Sequence, residues 1–196
     1  MTFKIILAVV LGTVAGLFLP DDFYATTDTL LTIGLCLLLF FVGIDIGKNK
    51  NVFRDIKKTG ALFFLTPIAI TVGSLLGAIL IGMLLGYPLN ESGAIGSGLG
   101  WYTLSSIIIA PYSSELSVLA FLTNVMREVF AIALIPIIAK RVGYIEAIAP
   151  AGATAMDTTL PIISSNTNSE TAILSFSTGL ILSVIVPILV SLFLFR

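Results

Sequence analysis

The sequence predicts an all-α, polytopic membrane protein with about five full spans and two discontinuous or re-entrant helices in an inverted-repeat arrangement, forming a single transmembrane domain over residues 1–196. Of the 196 residues, 57% are hydrophobic and 11% are charged, and the mean hydropathy is +1.10. Soluble domains run about 45–50% apolar and about 25% charged. A chain this poor in charge cannot cover a water-facing surface, so lipid must be its main solvent. The apolar residues also fall into long runs, and two further runs are interrupted by Gly, Ser, Thr and Pro.

A bilayer core of about 30 Å needs about 20 helical residues. Residues 3–19, 30–47, 60–85 and 116–139 meet that requirement, and residues 172–195 supply a fifth run. The first run carries only Lys4 and ends in Leu19-Pro20-Asp21-Asp22, without a small-x-small cleavage pattern. It therefore reads as a retained helix rather than a signal peptide. Residues 93–111 and 145–163 are too rich in small and polar residues for ordinary lipid-facing helices.

Orientation follows from the basic residues. Lys48, Lys50, Arg54, Lys57 and Lys58 crowd one loop, and Lys140 and Arg141 mark a second. Both loops are predicted to be cytoplasmic, as is the N-terminus beside Lys4. Asp21, Asp22, Asp28, Glu91 and Glu115 fall on the other side, where the C-terminus is expected. With these ends fixed, residues 93–111 begin and end outside, while residues 145–163 dip in from the cytoplasm. If both crossed fully, Lys140 and Arg141 would lie outside. Offsetting the two segments by 56 residues (152 minus 96) pairs Gly96 with Gly152, Thr103 with Thr159 and Leu104 with Leu160. Discontinuous elements entering from opposite faces are the sequence mark of an inverted repeat, with a binding site where they meet.

Irregular backbone at membrane depth must line protein or water, because bare polar groups are too costly in hydrocarbon. Gly96, Gly98 and Gly100 precede Trp101-Tyr102-Thr103-Leu104-Ser105-Ser106, so glycines allow chain reversal beside aromatic and hydroxyl side chains. The second segment, Pro150-Ala151-Gly152-Ala153-Thr154-Ala155-Met156-Asp157-Thr158-Thr159-Leu160-Pro161, is bounded by prolines and carries an acid and hydroxyls. Gly98, Gly100, Trp101, Tyr102, Thr103, Ser105, Thr158 and Thr159 are the expected cavity lining. Neither segment matches a phosphate-binding loop. Small-residue helix packing of the GxxxG kind fits Gly96 and Gly100 but leaves the aromatics and hydroxyls unexplained.

Four ionisable residues lie within or beside the spans: Asp45, Arg127, Glu128 and Asp157. Each costs about 2.5–3.5 kcal/mol at a helix centre. Three are acids, so the excess favours a cation. Glu128 stands at mid-helix, with Asn124 four residues earlier on the same face. Arg127 either neutralises Glu128 or pairs with Asp157. Asp45 reads as an interfacial acid or as a carboxylate at the cavity's inner mouth, and Asp157 as a half-helix cap or a ligand. The expected binding and proton-coupling set is therefore Asp45, Asn124, Arg127, Glu128 and Asp157. A proton and a cation competing for one carboxylate is the simplest basis for antiport.

The residues also limit what the chain can be. A net charge of −1 gives no basic face for nucleic acid. Cys36 stands alone and histidine is absent, so no disulfide, CxxC site or histidine-ligated zinc can be built, and neither metal nor cofactor is expected. An intramembrane aspartyl protease would need a Tyr-Asp and a Gly-x-Gly-Asp signature, and both are missing. A channel or structural subunit fits a lone central acid beside an arginine poorly. Sodium/proton exchange stays open, although Trp101 and Tyr102 suit an alkylammonium by cation–π contact.

Four stretches carry a family resemblance: Phe41-Val42-Gly43-Ile44-Asp45-Ile46-Gly47, Gly98-Leu99-Gly100-Trp101-Tyr102-Thr103-Leu104-Ser105, Asn124-Val125-Met126-Arg127-Glu128, and the run from Gly152 to Pro161. Together they resemble the bacterial lysine exporter (LysO-like) family, and more distantly the cation/proton antiporter and bile-acid symporter superfamily. The resemblance implies export of L-lysine and its toxic analogues, with Asp45 and Glu128 as the two essential intramembrane acids. It also implies discontinuous helices crossing at the membrane centre. Family members are expected to carry further N-terminal helices, so the chain is expected to work with a small membrane protein or as a homodimer.

Overall fold

The computed structural model describes residues 60–195, together with scattered helical positions at 7, 11, 12, 14–18, 33, 37, 40 and 44. The predicted spans at 3–19 and 30–47, the basic loop and Asp45 lie essentially outside the described residues. Within them the structure is all-helical. Helix α1 is Leu62–Leu84, α2 Leu89–Gly96, α3 Tyr102–Ile109 and α4 Ser114–Arg141. Two 3-10 segments follow, Glu146–Ile148 and Gly152–Met156, then α5 Leu160–Asn166 and α6 Ser169–Leu194. Among the described residues, α1, α4 and α6 are long and apolar enough to cross a membrane. They match the predicted spans at 60–85, 116–139 and 172–195 within a few residues.

Local chemistry sets these boundaries. Helix α1 ends in a Schellman turn: the N–H of Tyr87 donates to the carbonyl of Gly82 at 2.9 Å, past Gly86 at φ +89. Pro88 then caps α2. Helices α4 and α6 begin at side-chain caps. The Ser113 hydroxyl accepts from the Leu116 N–H at 3.2 Å, and the Asn168 amide oxygen accepts from the Thr171 N–H at 2.9 Å.

The elements form two helical hairpins clasped by three long helices. Ser92 of α2 packs on Gly82, and Gly96 packs on Ala78, so α2 runs back along α1. The Tyr102 ring meets the Phe121 ring edge-on, and the Ser117 hydroxyl donates to the Ser106 carbonyl at 2.8 Å. Helix α3 therefore runs antiparallel to the first turns of α4, and the α2–α3 hairpin starts and finishes at the end of the bundle where α1 ends and α4 begins. The second hairpin belongs to the opposite end. Leu62, Tyr144, Glu146 and Asn168 share one cavity there, which places the start of α1, the exit from α4 and the start of α6 together. From that end the chain climbs to Met156, beside Gly179 of α6, and returns through α5. The far end of α6 reaches the first hairpin, where Phe193 packs on Gly93.

The hairpin tips touch. Ala153 N–H donates to the Leu99 carbonyl at 2.8 Å, a backbone bond between the two interruptions. Leu99 is fully buried and takes a left-handed φ of +47, which turns that carbonyl towards the second tip. For a side chain branched like leucine this conformation costs on the order of 1–3 kcal/mol. Opposite it, Gly152 holds φ +63, and a Cβ there would collide with the Leu99 carbonyl and crowd the Arg127 guanidinium. Only glycine fits.

This contact makes Gly152 the most sensitive glycine of the interface. Gly152→Ala is expected to cost about 2–3 kcal/mol, lowering Tm in detergent by roughly 5–10 °C. Gly73→Ala, where a Cβ meets open space, is expected to leave Tm unchanged. Equal melting of the two variants would contradict the close approach of the tips.

Candidate functional site

The second long helix, α4, carries Asn124, Arg127 and Glu128; Arg127 and Glu128 lie three and four residues beyond Asn124, but about 100° from each other round the helix. Each does different work. Asn124 is 3% exposed. Its amide oxygen accepts the Gly100 N–H at 2.7 Å, and its nitrogen donates to the carbonyls of Ala120 at 2.9 Å and Ile95 at 3.4 Å. It thereby closes backbone groups that the first interruption leaves open. Sequence reasoning placed Asn124 among the substrate ligands; the structure commits its polar atoms to the chain itself.

Arg127 does the same for the second interruption. Its Nε donates to the Pro150 carbonyl at 3.0 Å, Nη2 to the Ala149 carbonyl at 3.0 Å and Nη1 to the Ser74 hydroxyl of α1 at 2.8 Å. A cation set against the terminal carbonyls of a helical turn is also favoured by their dipoles. The proposed pairings of Arg127 with Asp157 or Glu128 are not formed. The backbone carbonyls take up the guanidinium in a fork that a carboxylate would otherwise occupy.

Glu128 is thus left to face outwards. It lines a cavity of about 240 Å³ at the junction of the hairpin tips, with Asp157 on the same wall. The Thr158 hydroxyl donates to the Asp157 carboxylate at 3.3 Å. Gly100, Trp101, Tyr102, Thr103 and Thr158 also line this cavity. The other three expected lining residues do not. Thr159 and Ser105 are fully buried, with hydroxyls donating to the Thr154 carbonyl at 2.8 Å and the Tyr102 carbonyl at 3.2 Å. Gly98 lies under the Asn124 amide.

Asp157 is not a helix cap. Thr159 holds the cap position of α5, whereas the Asp157 carboxylate accepts the Thr158 N–H two residues ahead of the helix. Two participants escaped sequence reasoning. Ser183 of α6 reaches the cavity because Gly179, one turn earlier, lets α6 pack directly on Met156. Ser74 of α1 holds Arg127 from a helix that carried no site residue in the sequence reading. A hydroxyl inside an apolar span was the available signal for each. Among the described residues, no group of three His, Cys, Asp or Glu side chains is placed to hold a metal ion.

The division of labour on α4 can be tested through stability. Asn124→Leu strands the Gly100 N–H and is expected to cost about 1–3 kcal/mol. Arg127→Lys keeps the charge but cannot serve three divergent acceptors. It is expected to melt below wild type, and wild-type Tm in Arg127→Lys would rule out the fork.

A family model described as lysine exporter LysO matches residues 6–194. The lysine exporter LysO of Escherichia coli is 34% identical over 162 residues, covering 81% of this chain and 53% of that protein. A Haemophilus influenzae protein whose name proposes lysine export is 30% identical over 193 residues, 97% of this chain and 96% of that protein. The chain thus spans about half the length of the first relative and nearly all of the second, so the expectation of longer family members holds for one and not the other. No solved structure matches. With a family model matching from residue 6 to residue 194, the chain belongs to the lysine exporter LysO family.

Proposed function

We propose that this chain exports L-lysine and lysine analogues from the cytoplasm across the inner membrane, in exchange for protons. The observation that carries the reading is Glu128, a mid-span carboxylate open to a cavity that Asp157 also lines. Held partly out of water, a carboxylate binds a proton or an ammonium group but not both at once. Lysine arriving from the cytoplasm displaces the proton, and reprotonation from outside releases the lysine. Trp101 and Tyr102 offer π faces to the alkylammonium chain. The name of the Escherichia coli relative supports lysine as the cargo.

In this reading the hairpins enter the membrane from opposite faces as an inverted pair, with α2–α3 from outside and α5 with its 3-10 segments from the cytoplasm. Their tips meet near the midplane, so the irregular backbone lines the cavity instead of lipid. Asp45 supplies a second acid at the inner mouth. The N-terminus is cytoplasmic and the C-terminus external, in keeping with the basic residues.

Efflux of labelled lysine from cells lacking other lysine export, together with their resistance to thialysine, tests the proposal. Wild type is expected to restore both. Glu128→Gln keeps the shape and removes the charge, and is expected to slow efflux about 10–100-fold, as for loss of a charge-assisted contact. Undiminished efflux in that variant would remove Glu128 from the mechanism.

A further inference from the structure

We infer that the cavity selects cargo by its ammonium groups and not by its carboxylate, so that α,ω-diamines and carboxylate-blocked lysine derivatives are cargo as well. The inference rests on the reading above that this cavity is the transport site. It follows from which hydrogen-bonding groups remain free there.

Between residues 60 and 195 the sequence has three cationic side chains, Arg127, Lys140 and Arg141. Lys140 and Arg141 sit in the last turn of α4, well away from the hairpin tips. Arg127 is not among the residues that line the cavity, and each of its three nitrogens is turned to Pro150, Ala149 or Ser74. Among the described residues, no cation lines the cavity to receive a carboxylate, the role a guanidinium fork ordinarily fills.

Three of the hydroxyls on the wall, those of Thr154, Thr158 and Ser183, are spent in the same direction. A hydroxyl carries one proton and two lone pairs. Thr154 donates its proton to the Ala151 carbonyl at 2.9 Å, Ser183 to the Gly179 carbonyl at 2.8 Å and Thr158 to the Asp157 carboxylate at 3.3 Å. What these groups offer the cavity is lone pairs. Combined with Glu128 and Asp157, they make a surface of acceptors with two negative charges. An ammonium group, with three donors and no acceptor, matches that surface. The α-carboxylate of an amino acid meets like charge, and only neutral donors such as Trp101, Tyr102 or Thr103 remain for it. Lysine is then accepted for its ammonium groups, with its carboxylate tolerated.

Counterflow with the purified full chain in liposomes tests this. Vesicles exchange labelled lysine against unlabelled lysine, 1,5-diaminopentane, lysinamide or norleucine placed opposite. Diaminopentane and lysinamide are expected to accelerate exchange at concentrations within about tenfold of lysine. Norleucine, which keeps the carboxylate and loses the ε-ammonium, is expected to do nothing. Acceleration by lysine alone would overturn the inference and leave lysine export standing. Glu128-dependent movement of labelled diaminopentane without lysine exchange would overturn lysine as cargo and uphold the inference; movement of neither would overturn both. Asp157→Asn, checked for its amount in the vesicles, is expected to raise the diaminopentane requirement more than that for lysine, and an unchanged ratio counts against the inference.

Discussion

A helix interrupted inside an apolar medium leaves peptide groups without partners, and each one left bare costs several kcal/mol. This structure interrupts its helical path twice and brings the interruptions together, so the problem is concentrated at one place. The solution is a few directed bonds. Ala153 and Leu99 pair backbone to backbone, Asn124 closes the first interruption, and Arg127 closes the second while reaching across to α1. The rest of the site follows from how those bonds use up the polar side chains nearby.

One consequence is electrostatic. Arg127 and Glu128 are neighbours in sequence, and a neutralising pair would be the bland outcome. Consecutive side chains on a helix point about 100° apart, however, and that angle sends Arg127 into the carbonyls of residues 149 and 150 and Glu128 into the cavity. The positive charge is absorbed by backbone dipoles, and the negative charges of Glu128 and Asp157 stay available. Two carboxylates therefore line a cavity beside an arginine that pairs with neither.

A second consequence concerns packing. Lipid tails are as apolar as leucine, so helices in a membrane gain little by hiding leucine from them and associate through close contact of small residues. Gly82 on Ser92, Gly96 on Ala78, Gly93 on Phe193 and Gly179 on Met156 are contacts of that kind. They hold the short helix α2 and the second 3-10 segment against α1 and α6 at separations that larger side chains would prevent. Large apolar residues such as Phe64, Leu80, Val184 and Ile188 remain exposed on the long helices, as expected where the neighbour is lipid.

The sequence by itself determined the class of protein, three of the long helices and the acid in the middle of one of them. Those features depend on composition and on residue types placed along the chain: length of apolar run, clusters of Gly, Ser, Thr and Pro, and a charge too costly to bury without use. Tertiary structure alone decided which polar groups face the cavity. Ser105 and Thr159 differ in no sequence property from Thr103 and Thr158, yet they are buried, because hydroxyl direction depends on local turns and on partners met in space. Asn124 reads as a ligand until Gly100, 24 residues away, is seen to donate to it, and Arg127 finds Ser74 across 53 residues. Such pairings arise only when the two hairpin tips meet, since hydrogen-bond partners are fixed by three-dimensional proximity and not by order along the chain.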